Sequence, residues 1–89
     1  MIAKLKTPGT GQDLVDAGKK WAERKVPGYE GSWYLLADDD ETLVLCASFD
    51  SKESYMALAN DPAQDEWFQS FIAPIIEGDP RWIDGAWAQ

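Results

Sequence analysis

Apolar and polar positions alternate from Met1 to Lys6: Met1, Ala3 and Leu5 fall on one side, Ile2, Lys4 and Lys6 on the other. A period of two predicts a short strand whose second face is partly wet. Thr7-Pro8-Gly9-Thr10-Gly11 ends it, because Pro and Gly interrupt regular structure. The period then lengthens. Between Gln12 and Lys25, Leu14, Ala17 or Gly18, Trp21 and the stem of Lys25 share one helical stripe. Lys19, Lys20, Glu23 and Arg24 lie largely elsewhere. Val26-Pro27-Gly28 stops this helix, since Pro disfavours a helical predecessor and Gly tolerates the turn.

Period two returns twice. Over Tyr29 to Ala37, Trp33 and Leu35 share one face, and Ser32, Tyr34 and Leu36 share the other. Over Thr42 to Phe49, Leu43, Leu45, Ala47 and Phe49 alternate with Val44, Cys46 and Ser48. The acidic run Asp38-Asp39-Asp40-Glu41 between them reads as a solvated hairpin turn. It has neither the ligand spacing nor the Gly of an EF-hand loop, and no metal is expected.

The stretch Leu43 to Leu58 organises the chain: a buried strand, a sharp turn, and the start of a second helical region. Asp50 or Ser51 caps a helical segment from Ser51 to Ala59. Asn60-Asp61-Pro62 interrupts and restarts it, with Asp61 as N-cap, Pro62 at the first helical position and Gln64 at the third. Trp67, Phe68, Phe71, Ile72 and Ile75 form its apolar stripe, and Pro74 kinks or shortens the last turn. Gly78-Asp79-Pro80 reads as a turn, and Arg81 to Ala88 as the last strand. In that strand Trp82, Asp84 and Ala86 would oppose Ile83, Gly85 and Trp87, with Gly85 at a bulge or a close backbone approach.

The element order β-α-β-β-α-β predicts an α+β, ferredoxin-like antiparallel sheet, with both helices on one face because crossovers are right-handed. Residues 1–89 form one domain. The other sheet face would carry Trp33 and Leu35, or Tyr34 and Leu36, and is too apolar to stay wet. A second copy packed sheet to sheet about a two-fold axis is the expected partner.

Composition sharpens this picture. A domain this small buries only about 60% of the surface its unfolded chain exposes. It nevertheless carries five Trp, three Tyr and three Phe, so rings are expected to face a partner or ligand as well as a core. The net charge of −8 is unevenly spread: residues 1–25 hold six basic and three acidic groups, residues 26–89 two and thirteen. That acidic remainder argues against nucleic acid. Cys46 is a single cysteine on a predicted strand, and reads as a small buried hydrophobe. Histidine is absent, which removes imidazole bases and His-ligated haem or zinc. No run approaches a membrane span and no signal-like apolar region opens the chain, so a cytoplasmic protein is expected.

Three segments carry a family resemblance: Pro27-Gly28-Tyr29, Phe49-Asp50-Ser51-Lys52-Glu53-Ser54-Tyr55, and Ile75-Ile76-Glu77-Gly78-Asp79-Pro80. The first two are similar to the P-G-F/Y and W-x-S-x-E-x-F/Y patterns of the dimeric α/β-barrel superfamily, in its antibiotic-biosynthesis-monooxygenase-like group. The resemblance spans nearly the whole chain, through turn and packing residues. It implies a homodimer whose sheets close into a barrel, and a pocket between sheet and helices in each subunit. Members include cofactor-independent oxygenases of polycyclic phenols, haem-degrading enzymes, quinol oxygenases and small isomerases. The haem branch is disfavoured: its ligating His has no counterpart, Trp67 lying near that position, and Leu58 lies near its helix Trp.

The resemblance therefore leaves two functions open. One is a monooxygenase or isomerase without cofactor or metal, acting on an aromatic or polycyclic phenolic substrate. The other is a non-enzymatic homodimer that binds a small aromatic or apolar ligand or serves as an accessory protein. A module that offers an edge strand to another protein is a third. An aromatic slot would draw on Trp21, Trp33, Tyr34, Trp67, Phe71 and Trp82, with Tyr34, Tyr55, indole N–H groups and Arg81 as donors. Asn60 fits a cap or turn better than a site. No base is evident; Asp84 would serve only if burial raised its pKa.

Overall fold

The structure is a computed structural model that describes residues 1–88. The elements run β1 (Ile2–Leu5), α1 (Gly11–Ala22), β2 (Tyr29–Leu36), β3 (Thr42–Phe49), α2 (Lys52–Ala59), α3 (Pro62–Phe71) and β4 (Ile76–Arg81). The four strands form one antiparallel sheet in the order β2-β3-β1-β4. This α+β architecture is compatible with a ferredoxin-like fold. Among the described residues no helix is long and apolar enough to cross a membrane.

The alternation read from the sequence sets the register. Leu43 lies opposite Ala3 on β1 and opposite Leu36 on β2, and Leu5 lies opposite Ile76 on β4. Ala3, Leu5, Leu43 and Ile76 meet Leu14 and Val15 of α1 and Ile72 just past α3 in a single buried cluster, and Leu36 stays exposed at its margin. Leu14, Leu43 and Ile76 are fully buried, each worth roughly 2 kcal/mol against exposure. Trp33, Leu35, Val44 and Cys46 alternate onto the opposite face, which no helix covers.

Local chemistry places the ends. Ser51 Oγ caps α2 by accepting from Ser54 N–H at 3.1 Å, and Asp50 Oδ1 accepts from Ser54 Oγ at 2.7 Å. Asp61 caps α3 by accepting from Ala63 N–H, with Pro62 in the first turn. Gln64 does not close a capping box; its Oε1 accepts from Trp21 Nε1 at 2.7 Å and ties α3 to α1. In the β2–β3 turn Asp39 Oδ1 accepts from the N–H groups of Glu41 and Thr42, and these bonds hold its carboxyl below the ordinary range. Asp40 takes the left-handed conformation there, at φ 58.

Two expectations need correction. The first helix ends at Ala22 rather than Lys25: Lys25 has φ 54 and is exposed, so its stem does not extend the buried stripe. The last strand lies earlier than Arg81 to Ala88. Gly78-Asp79-Pro80 is not a turn between elements but the middle of β4. Between Lys4↔Glu77 and Ile2↔Arg81, β4 spends more residues than β1, a bulge that absorbs Gly78 at φ 67. Pro80 is tolerated because β4 is an edge strand. Residues 82–88 form no ladder, and Gly85 neither bulges a strand nor approaches another backbone.

Leu43→Ala is expected to cost about 3 kcal/mol, because its cavity opens where β1, β3 and α1 meet. Urea unfolding followed by circular dichroism measures it; a loss within about 0.5 kcal/mol, typical of surface substitutions, would show that Leu43 is not a core residue.

Candidate functional site

The aromatic residues expected to line a slot divide between the two sides of the sheet. On the helix side Trp21 is buried in α1, edge-on to Tyr29 at 5.0 Å and beside Trp67 of α3 at 6.0 Å between ring centroids. Phe71 continues this stack at 6.2 Å from Trp67 and is itself exposed. Tyr29 touches Phe49 at 5.8 Å, and Phe49 touches Tyr55 of α2 at 5.4 Å. One run of rings therefore joins Phe71, Trp67, Trp21, Tyr29, Phe49 and Tyr55. Trp82 stands apart from it, against Phe68 at 5.9 Å. Trp33 is on the other face, where its ring meets Trp87 at 6.1 Å.

Tyr34 points into the helix layer and packs against the core and the backbone of α1. A methyl at Gly18 would collide with its hydroxyl, so this approach requires glycine. Burial pushes the Tyr34 phenol up, the neighbouring Tyr29 adds to the shift, and Ser32 opposes it. Tyr55 donates its hydroxyl to Asp84 Oδ1 at 2.8 Å. Its phenol is pushed up to about 12, first by desolvation and then by the Asp84 hydrogen bond and charge. Both phenols stay protonated at neutral pH, with the Tyr55 hydroxyl donated to Asp84 and the Tyr34 hydroxyl packed against α1 at Gly18. Asp84, considered as a base, is an exposed carboxylate already engaged by Tyr55. Trp21 has its indole N–H committed to Gln64.

The segment after β4 runs across both sides. Trp82 rests on α3, Asp84 meets α2, and Trp87 reaches the uncovered sheet face. There Trp87 Nε1 donates to Ser48 Oγ at 3.1 Å, and Ser48 Oγ donates to Glu30 Oε1 at 3.2 Å.

A trough of about 460 Å³ opens elsewhere, between the α1–β2 connection at Val26–Pro27 and α2. Glu53, Ala57 and Leu58 line it from α2, and Asp61 from the cap of α3. None of the seven aromatic residues singled out from sequence lines it. Sequence reading also missed Tyr29 and Phe49 as the links in the aromatic run, and Ser48 and Glu30 as the anchor for Trp87. Alternation along β3 carried the signal for Phe49; nothing local marked Ser48. Among the described residues no group of three or more His, Cys, Asp or Glu side chains is placed to hold a metal ion.

Compared with known proteins, the chain matches no family model, no curated protein and no solved structure.

The Tyr55–Asp84 bond predicts an alkaline effect. A phenol whose folded pKa lies above its ordinary value of 10.0 contributes stability fully below pH 10, lost as pH rises through about 12. Phenolate absorbance should show Tyr55 titrating late, and Asp84→Asn should move it down, with burial still holding it above the ordinary value. An unchanged titration in that variant would mean that Asp84 does not hold Tyr55.

Proposed function

We propose that the chain is a ferredoxin-like βαββαβ unit that works as a homodimer, closed sheet to sheet into an α/β barrel. Within that frame we read it as a small non-enzymatic ligand-binding or accessory protein. The observation that supports this is the uncovered sheet face. Trp33 and Leu35 are 59% and 61% exposed there, with Val44 and Cys46 between strands and Trp87 at 67% beside Trp33. Leaving two indoles and a leucine in water on one flat face is costly, and Trp is enriched where interfaces hold most of their energy. The resemblance to the antibiotic-biosynthesis-monooxygenase-like group points to the same sheet-to-sheet pairing.

The ligand-binding side of this reading draws on the helix layer. The aromatic run from Phe71 to Tyr55 offers flat apolar surface. A small aromatic molecule is the ligand class that such a surface takes. A cofactor-independent monooxygenase or isomerase acting on an aromatic or polycyclic phenolic substrate is the second reading. The aromatic run favours it, because rings hold a flat substrate; the Tyr55 hydroxyl would have to leave Asp84 before it could donate to a substrate phenolate. The reading still lacks a base, since the single carboxylate placed among these groups is exposed and engaged.

Sedimentation over a dilution series tests the dimer. The wild-type chain should show a monomer–dimer equilibrium, and Trp33→Ala should weaken it by about 2 kcal/mol or more while leaving the helix signal intact. A chain that stays monomeric at every concentration overturns the proposal. Oxygen consumption with a polycyclic phenol separates the two functions: turnover that Tyr34→Phe abolishes supports the enzyme, and no turnover supports the binding protein.

A further inference from the structure

Side chains alone hold the segment after β4. Residues 82–88 pair with no strand, and none of them makes a backbone hydrogen bond to another element. Trp82 lies against Phe68 of α3, Asp84 accepts from the Tyr55 hydroxyl of α2, and Trp87 sits on the uncovered sheet face. All three residues are exposed, so each of these contacts is shared with water and the segment is weakly held.

Trp87 marks where the segment matters. Ser48 is 8% exposed although no helix covers its side of β3. Its Oγ accepts from Trp87 Nε1 at 3.1 Å and donates to Glu30 Oε1 at 3.2 Å. Opposite Ser48 on β2 stands Gly31, which has no side chain to raise the face there. The Trp87 indole lies at this low end and meets the ring of Trp33 at 73°. Trp33, Leu35, Val44 and Cys46 carry the same apolar face onward. Two sheets packed face to face stand about 10 Å apart, and the side chains of both fill the gap. An indole and the chain that carries it, laid on one sheet, add a further layer. A second copy packed flat on Trp33 therefore collides with Trp87 in its present place.

From the sheet-to-sheet dimer proposed above, and resting on it, we infer that residues 82–88 form a strap that competes with the second copy for this face. With Trp87 bonded to Ser48 the face is blocked, and with the strap lifted Trp33 and Leu35 meet the partner. Lifting it costs Trp87 little, because this residue is 67% exposed even while attached. The Ser48 hydroxyl keeps its bond to Glu30. The apparent dimer affinity then scales with the fraction of chains whose strap is lifted. The anchors at Trp82 and Asp84 lie on the helix side, away from the face, so they control that fraction without touching the partner.

Three full-length variants test this by sedimentation over a dilution series. Trp82→Ala combined with Asp84→Ala releases the near anchors, and Trp87→Ala removes the far one. Each should dimerise about fivefold more tightly than the wild type, the scale of one exposed ring contact or hydrogen bond lost from the strapped state. Trp33→Ala, which removes interface surface, should move the other way. A helix signal equal to the wild type's in circular dichroism checks that each variant folds. In NMR spectra the Trp87 indole N–H, identified by its loss in Trp87→Ala, should exchange faster with water as concentration favours the dimer. A dimer that weakens or keeps its affinity in the strap variants overturns the strap and leaves the dimer standing, as does a Trp87 indole that stays protected in the dimer. Monomers at every concentration, in the wild type and in all the variants, overturn the dimer and the strap with it.

Discussion

The rest of the fold depends on the register that Leu43 holds at the centre of β3. Ala3 stands across from it on one side and Leu36 on the other, and α1 closes over it with Leu14 and Val15. Strand side chains alternate with a period of two, so a slip of one residue would turn Trp33, Leu35, Val44 and Cys46 toward the helices and Leu43 and Leu45 away. The buried row can be satisfied in one register, and that register also fixes which apolar residues remain outside. The exposed face is thus a direct consequence of the core.

With so few residues, the core is thin, and the second half of the helix layer depends on edges rather than depth. Neither α2 nor α3 contains a buried residue. What ties them down is a set of specific contacts: Trp21 to Gln64 by hydrogen bond, Trp21 to Trp67 by ring contact, and Tyr55 to Phe49. Aromatic side chains suit this task because each combines large area with one directional polar or ring contact. Separate contacts give the segment after β4 its path, since Trp82, Asp84 and Trp87 each find a partner on a different element.

Much of the candidate site was legible as residue types but not as an assembly. Trp21, Trp67 and Phe71 read as one apolar class and do form one stack, because helical spacing puts Trp67 and Phe71 one turn apart on α3, with Trp67 beside Trp21 of α1. Trp33 was grouped with them, yet alternation along β2 sends it to the opposite face. Tyr55 and Asp84 were noticed separately. Their hydrogen bond joins residues 29 positions apart, and no local pattern reports such a distance. The trough was invisible in sequence for a similar reason. Only the fold places Val26 and Pro27 across from Ala57 and Leu58.

By itself the sequence determined the α+β class, the two faces of β1, β2 and β3, the hairpin, the cap at Asp61, and a cap at Asp50 or Ser51. Each of these rests on interactions within a few residues, or on a period that a single strand or helix imposes. Only the tertiary structure decided the end of the chain. Gly78-Asp79-Pro80 is a turn by local propensity, but Ile76 must reach Leu5 to fill the core, and that pairing draws the strand forward over Ile76–Arg81. An edge position leaves Pro80 without a ladder bond to lose, and the bulge absorbs Gly78. Burial of one apolar side chain in a distant strand outweighed the local preference, and it released residues 82–88 to leave the sheet.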